Sequence, residues 1–130
     1  MENERSTVGW NIVEQNTGEY GKENVNDVKK NFPVLGKWEV EFGFGEIWSR
    51  PQLDMKQREL ITLAALTVLG DSRRALDHHI RGALKVGLTP AEISEVLLHC
   101  VGYIGFPRAM NALYIMKDVF DELGIELPKE

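Results

Sequence analysis

Residues 60–69 read LITLAALTVL, a run in which Thr62 and Thr67 are the only polar side chains. It is too short to cross a bilayer, which takes about twenty apolar residues. A helix that is apolar on every side must be enclosed, either by its own domain or by another subunit. A chain of 130 residues has one modest core and little interior with which to surround a helix completely. Contact with a second subunit is therefore expected.

The length predicts one domain, and the hydrophobic share of 43% with 27% charged residues predicts folding rather than disorder. A net charge of −5 argues against a nucleic-acid partner, which favours a basic stripe. No apolar run of membrane-spanning length occurs, so no membrane partner is expected. The N-terminus is polar from its first residues and has no apolar core of a secretory signal, which predicts a cytoplasmic location. Cys100 is the single cysteine, so an intrachain disulfide, a thiolate metal cluster and a two-thiol redox centre within one chain are all excluded.

Little periodicity appears over residues 1–23, which are rich in Gly, Asn and Glu and read as a flexible arm or lid. A single all-α domain is expected over residues 24–130. Pro33 interrupts its first helix, and an aromatic-rich helix follows over 34–49, ending before Pro51. Asp54 is placed to cap the apolar helix, which stops at Gly70. The next helix spans 71–85. Thr89, Pro90 and Glu92 then form a capping box, and a last helix opens at Pro107 and runs to Phe120. No stretch alternates with a period of two long enough for a strand.

Helical spacing separates the adjacent histidines. His79 shares a stripe with Ala75, Leu76, Ala83 and Val86 and is expected to face inward, whereas His78 goes with Arg74, Arg81 and Lys85 toward water. His79 is either a core histidine bonded to a backbone carbonyl or an acid–base group, since imidazole exchanges protons near neutral pH. Its charged company favours the second: Arg58 and Glu59 open the apolar helix, and Glu46 and Arg50 precede it. Glu46 with Arg50, one turn apart, also reads as an exposed helix pair, and Glu95 as an ion-pair partner for His99. No metal is expected, because no metal-ligand spacing such as H-E-x-x-H occurs and adjacent histidines stand about 100° apart on a helix. There is likewise no nucleophile elbow, phosphate loop or dinucleotide fingerprint, which leaves chemistry without a cofactor.

The strings GEIWSRPQLDMKQRELITLAALTVLG and HIRGALKVGLTPAEISEVLLHCVGYIGFPRAMNA resemble the carboxymuconolactone decarboxylase family over about residues 35–120. The motif elements are G-E-I-W, R-P-x-L-D, R-E at the head of the apolar helix, H-x-R-G-A-L, G-x-T-x-x-E-I and Y-x-G-x-P. The resemblance implies an all-α bundle of the alkyl-hydroperoxidase D type with helices packed across subunits, as a homohexamer or, next, a trimer. It implies loss of CO2 from 4-carboxymuconolactone or a related small anionic carboxylic acid, in aromatic-compound degradation and without a cofactor. His79, Arg58 and Glu46 are then the catalytic candidates, with Arg50, Glu59, His99 and Tyr103 binding substrate. The peroxidase branch of the superfamily carries C-x-x-C-x-x-x-H where this chain has Ser72, Ala75 and His79. Phe44 stands where typical decarboxylases have Trp, and His99 where Gln is frequent, changes that reshape a pocket. Two other readings are carried forward: a thiol-dependent peroxidase or disulfide reductase using Cys100 across a subunit contact, and an oligomeric binding protein without catalysis.

Overall fold

The structure, a computed structural model, describes residues 3–129. Six α-helices and one π-helical segment form among them, with no strand: α1 Glu4–Asn31, α2 Pro33–Trp38, the π-helical segment Glu39–Trp48, α3 Met55–Leu69, α4 Arg73–Lys85, α5 Pro90–Ile104 and α6 Phe106–Leu123. The all-α architecture expected from the sequence is the one that forms. The helices group into two compact units that part between Met55 and Lys56.

The N-terminal unit corrects the expectation of a flexible arm. Residues 4–23 belong to α1, while residues 1 and 2 of that expected arm lie outside the described residues. Residue 24 is no boundary, because α1 runs through it. Asn3 caps the helix by accepting a bond of 2.8 Å from the Ser6 amide, and Lys22 pairs with Glu14 and Glu19 on its surface. Gly18 breaks α1 into two pieces at φ 60 and ψ −140, a backbone state open to little but glycine. Both pieces contribute to one core, in which Val13 and Val25 meet Val40 and Phe44 of the π-helical segment, with Trp10, Ile12 and Trp48 against them.

The expected helix over 34–49 forms as two elements, α2 and the π-helical segment, with Pro33 opening α2 as its first residue. The α1 backbone comes unusually close to the second of these. A Cβ on Gly9 would lie 2.0 Å from the Val40 carbonyl oxygen, and one on Gly45 2.6 Å from that of Arg5. The glycines that weakened the helical pattern are the contact surface itself.

The C-terminal unit is a helical bundle around Leu63, Leu76, Ile80, Ala83, Leu88, Ile93, Leu97, Ala112, Met116, Val119 and Phe120. α5 starts as expected: the Thr89 hydroxyl accepts from the Glu92 amide at 3.0 Å and the Glu92 carboxylate from the Thr89 amide at 2.9 Å. Ion pairs Arg73–Asp118 and Arg81–Glu122 tie α4 to α6. The Arg108 guanidinium donates to the Val68 carbonyl at 2.8 Å, near the end of α3. α3 itself is not enclosed: Leu63 is fully buried, but Ile61, Val68 and Leu69 remain 55%, 42% and 60% exposed.

The close approach in the N-terminal unit is testable. Gly9→Ala should lower stability by about 2 kcal/mol, within the range that overpacking costs, read as a lower urea midpoint. Gly43→Ala, where a Cβ meets nothing within 4 Å, should leave the midpoint unchanged or raise it. Equal losses in both variants would exclude close packing as the reason for Gly9.

Candidate active site

Only one face of α3 is truly buried, and its residues Glu59, Leu63 and Thr67 recur every fourth position, the spacing that stacks side chains along a helix. Thr67 satisfies its hydroxyl by donating to the Leu63 carbonyl at 2.7 Å. Glu59 is a carboxylate with no exposed surface, and such a group requires a partner. It finds one in His79 of α4, whose Nδ1 lies 3.1 and 3.2 Å from its two oxygens. A carboxylate accepts hydrogen bonds, so the Nδ1–H donates and the ring is held in one orientation. The His79 side chain keeps 16% of its surface exposed.

The partner of Nδ1 is thus a side-chain carboxylate rather than the backbone carbonyl of the first reading. The pairing also raises Glu59 from a substrate-binding candidate to the group that orients the histidine. The signal was present in the sequence as the Glu59–Leu63–Thr67 stripe, where a carboxylate heads the buried face of an apolar helix.

The expectation that His78 faces water is corrected. His78 is 7% exposed and more deeply buried than His79. α4 is covered on more than one side, with Leu76, Ile80 and Ala83 buried on one and His78 with Gly82 on another. A helical wheel that assigns one inner and one outer face therefore misplaces it. The two rings lie 4.9 Å apart and tilted by 55°. Burial first, and then the neighbouring His79 and Arg74 charges, push the His78 imidazole from 6.5 down to about 4, with Asp77 opposing.

The other candidates fall into separate settings. Glu46 and Arg50 belong to the N-terminal unit; Arg58, Glu59, His79, His99 and Tyr103 belong to the C-terminal one. Glu46 pairs with Arg5 at 2.5 Å instead of Arg50, and it sits in the π-helical segment, where Arg50 is not one α-helical turn away. Arg50 is exposed and Arg58 half-buried. His99 meets the ring of Tyr103, centroids 5.3 Å apart, in place of the expected pairing with Glu95. His99 borders an apolar groove of about 520 Å³ between α3 and α5, lined by Leu60, Ile61, Ala64 and Val96 and rimmed by Glu92 and Glu95. Tyr103 is 80% exposed. Cys100 is buried at 5%, and burial pushes its thiol above the ordinary range, as expected for a small hydrophobe. Among the described residues no cluster of three or more His, Cys, Asp or Glu side chains is placed to hold a metal ion, and no helix is long and apolar enough to cross a membrane.

Comparison with known proteins adds the following. The model of the carboxymuconolactone decarboxylase family matches residues 33–118, a span that holds every candidate above. A 4-carboxymuconolactone decarboxylase of Acinetobacter baylyi is 38% identical over 103 residues, covering 79% of this chain and 74% of that protein. A nitrosuccinic acid decarboxylase of Metarhizium robertsii is 36% identical over 84 residues, 65% of this chain and 58% of that protein. An uncharacterized 15.0 kDa protein of Paracoccus denitrificans is 33% identical over 96 residues, 73% and 72% of the two chains.

The low value for His78 gives a signed prediction. Between pH 6.5 and about 4 the unfolded chain binds a proton that the folded chain refuses, so stability is complete above 6.5 and falls with pH below it. The full gap is worth on the order of 3 kcal/mol. Urea unfolding of wild type and His78→Gln across this window should show a shallower acid loss in the variant. Identical slopes would mean that the His78 imidazole titrates alike in both states.

Proposed function

Because the chain belongs to the carboxymuconolactone decarboxylase family, we propose that it is a carboxy-lyase releasing CO2 from a small carboxylated lactone, of the 4-carboxymuconolactone type, without a cofactor. The observation that carries this reading is the fully buried Glu59 carboxylate holding Nδ1 of His79. That pairing prepares an imidazole for proton delivery and uses no thiol.

In such a lactone the bond to the carboxylate breaks and CO2 leaves. The electron pair runs through the ring alkene to the lactone carbonyl, so negative charge develops on an oxygen remote from the departing carbon. Nε2 of His79 then supplies the proton that the dienolate carbon takes up, and the ring regains one from solvent, for a net consumption of one proton. Glu59 stabilises the charged imidazolium on either side of that transfer. Arg58 is proposed to bind the substrate carboxylate or the developing oxyanion, a task that suits a permanently charged, forked guanidinium. Glu46 is proposed to orient or protonate the substrate, with Arg50, His99 and Tyr103 binding it.

The relatives suit a chemical class wider than one lactone. Nitrosuccinic acid, which names the substrate of one relative, carries a carboxyl beside a nitro group whose oxygens accept an electron pair as a conjugated carbonyl does. A small acid with its leaving carboxyl next to such an electron sink is the substrate class proposed for this chain. The thiol-dependent reading loses support, because a buried thiol with a raised pKa is the reverse of a reactive one. We also infer assembly, with a hexamer favoured over a trimer, from the large apolar side chains that α3 and α6 leave exposed, Ile61, Leu69 and Tyr114 among them.

Purified protein should release CO2 from 4-carboxymuconolactone, and both His79→Ala and Glu59→Gln should lower kcat by about 10²–10⁴-fold, the usual contribution of a positioned acid–base group. Light scattering should show the same oligomer in all three proteins. Full activity in His79→Ala, or no turnover of the lactone and of a nitro-substituted succinate alike, would sink the assignment.

A further inference from the structure

The least common backbone in the chain is the ten-residue π-helical segment Glu39–Trp48. Such geometry makes up well under 1% of globular structure, occurs mostly as single turns and is frequent at functional sites. This segment carries the G-E-I-W motif. Bonds from residue i to i+5 stack side chains five positions apart, which an α-helix at about 100° per residue would leave about 140° apart. Phe42 and Ile47, five apart, are both exposed, at 53% and 42%.

Glu41 and Glu46 are a second such pair, and both meet the same cation. Arg5 of α1 places Nε 2.5 Å from Glu46 Oε1 and Nη1 3.8 Å from Glu41 Oε2. Asn3 adds a bond of 3.0 Å to Glu41 Oε1. The carboxylates differ in access: the Glu41 side chain is 10% exposed and that of Glu46 47%. Glu41 is thus a buried anchor for the first turn of α1, and Glu46 stays reachable. Two like charges on one side of a helix repel unless a cation bridges them, and a forked guanidinium does so with directed bonds. The bare Cα of Gly45 lets the Arg5 backbone come close enough.

We propose that Arg5 is a positioning residue for Glu46, and that the π-helical segment together with the first turn of α1 fixes the direction in which this carboxylate is presented to the substrate. The proposal rests on the decarboxylase reading for the role of Glu46. The geometry itself rests on Arg5, Glu41 and Asn3 alone.

CO2 release from 4-carboxymuconolactone should be followed in wild type, Arg5→Met, Arg5→Lys, Glu46→Gln and the Arg5→Met/Glu46→Gln double variant, alongside a crystal structure of Arg5→Met. Arg5→Met should lower kcat about tenfold with KM changed less than about twofold, the signature of a misplaced group rather than lost binding. Arg5→Lys should recover part of that loss. In the Glu46→Gln background Arg5→Met should cost nothing more, because its effect passes through Glu46. In the crystal the Glu46 carboxylate should have left its place. A further tenfold loss in the double variant overturns the proposal, and so does an unmoved Glu46. The crystallographic result needs no turnover, so a wild type inactive on both the lactone and a nitro-substituted succinate sinks the decarboxylase reading while the positioning role is decided on geometry.

Discussion

A carboxylate taken wholly out of water is the demand around which the C-terminal unit is arranged. The penalty for burying such a group alone amounts to several kcal/mol, and it falls only where a partner of matching geometry is brought to it. Glu59 sits on the single buried stripe of α3, and α4 answers with the Nδ1 of His79 at 3.1 Å. The pair therefore fixes the register of α4 against α3. Rotating α4 by one residue would present Ile80 or His78 to the carboxylate in place of the ring that bonds it. The same requirement that threatens stability holds the His79 imidazole by its Nδ1.

The two histidines show how neighbouring positions on one helix acquire opposite characters. His79 has a carboxylate and some access to solvent, while His78 has burial and a second imidazole 4.9 Å away. Desolvation outweighs the opposing Asp77 charge and drives His78 toward the neutral form, whereas the Glu59 carboxylate meets the His79 ring directly. A neutral His78 places no permanent positive charge beside the His79 ring. Adjacent titratable groups held in unlike environments are a recurrent way of assigning distinct roles to identical side chains.

What could be read from the sequence was what local chemistry settles. The Thr89 and Glu92 capping box, the break at Pro33 and the stop after α3 depend on a few consecutive residues, and each forms where the pattern predicts it. His79 was legible as a functional candidate because imidazole and its charged neighbours are themselves the signal. Arg58 and Glu59 are adjacent and both charged, and only the fourfold spacing Glu59, Leu63, Thr67 marks out the buried one. His78 was misplaced because a wheel diagram knows one covering neighbour, and α4 has more than one covered side. The first helix escaped because its apolar residues are sparse. Val13 and Val25 are fully buried, but they lie on two pieces bent at Gly18, so no single periodic stripe announces them. The π-helical segment gave no local signature, and the close approaches of α1 to it at Gly9 and Gly45 join residues far apart in sequence.

Ser72 and Ala75 stand at the two positions where the peroxidase branch carries thiols, so the sulfur chemistry of that branch has no counterpart on this helix. Where the peroxidase branch has thiols at these two positions, a histidine four residues further on can draw a proton from sulfur. In this chain the Ser72 hydroxyl donates to the Leu66 carbonyl at 2.9 Å, so it is committed to the turn between α3 and α4. Ala75 offers no heteroatom at all. The Glu59–His79 pair does not depend on either position, because its geometry comes from the buried stripe of α3 and the middle of α4. With neither sulfur present, the Glu59–His79 pair still stands. What remains is an imidazole held by a buried carboxylate, which suits the proton transfer proposed for it. That is the step a carbanion equivalent needs once its carboxylate has gone.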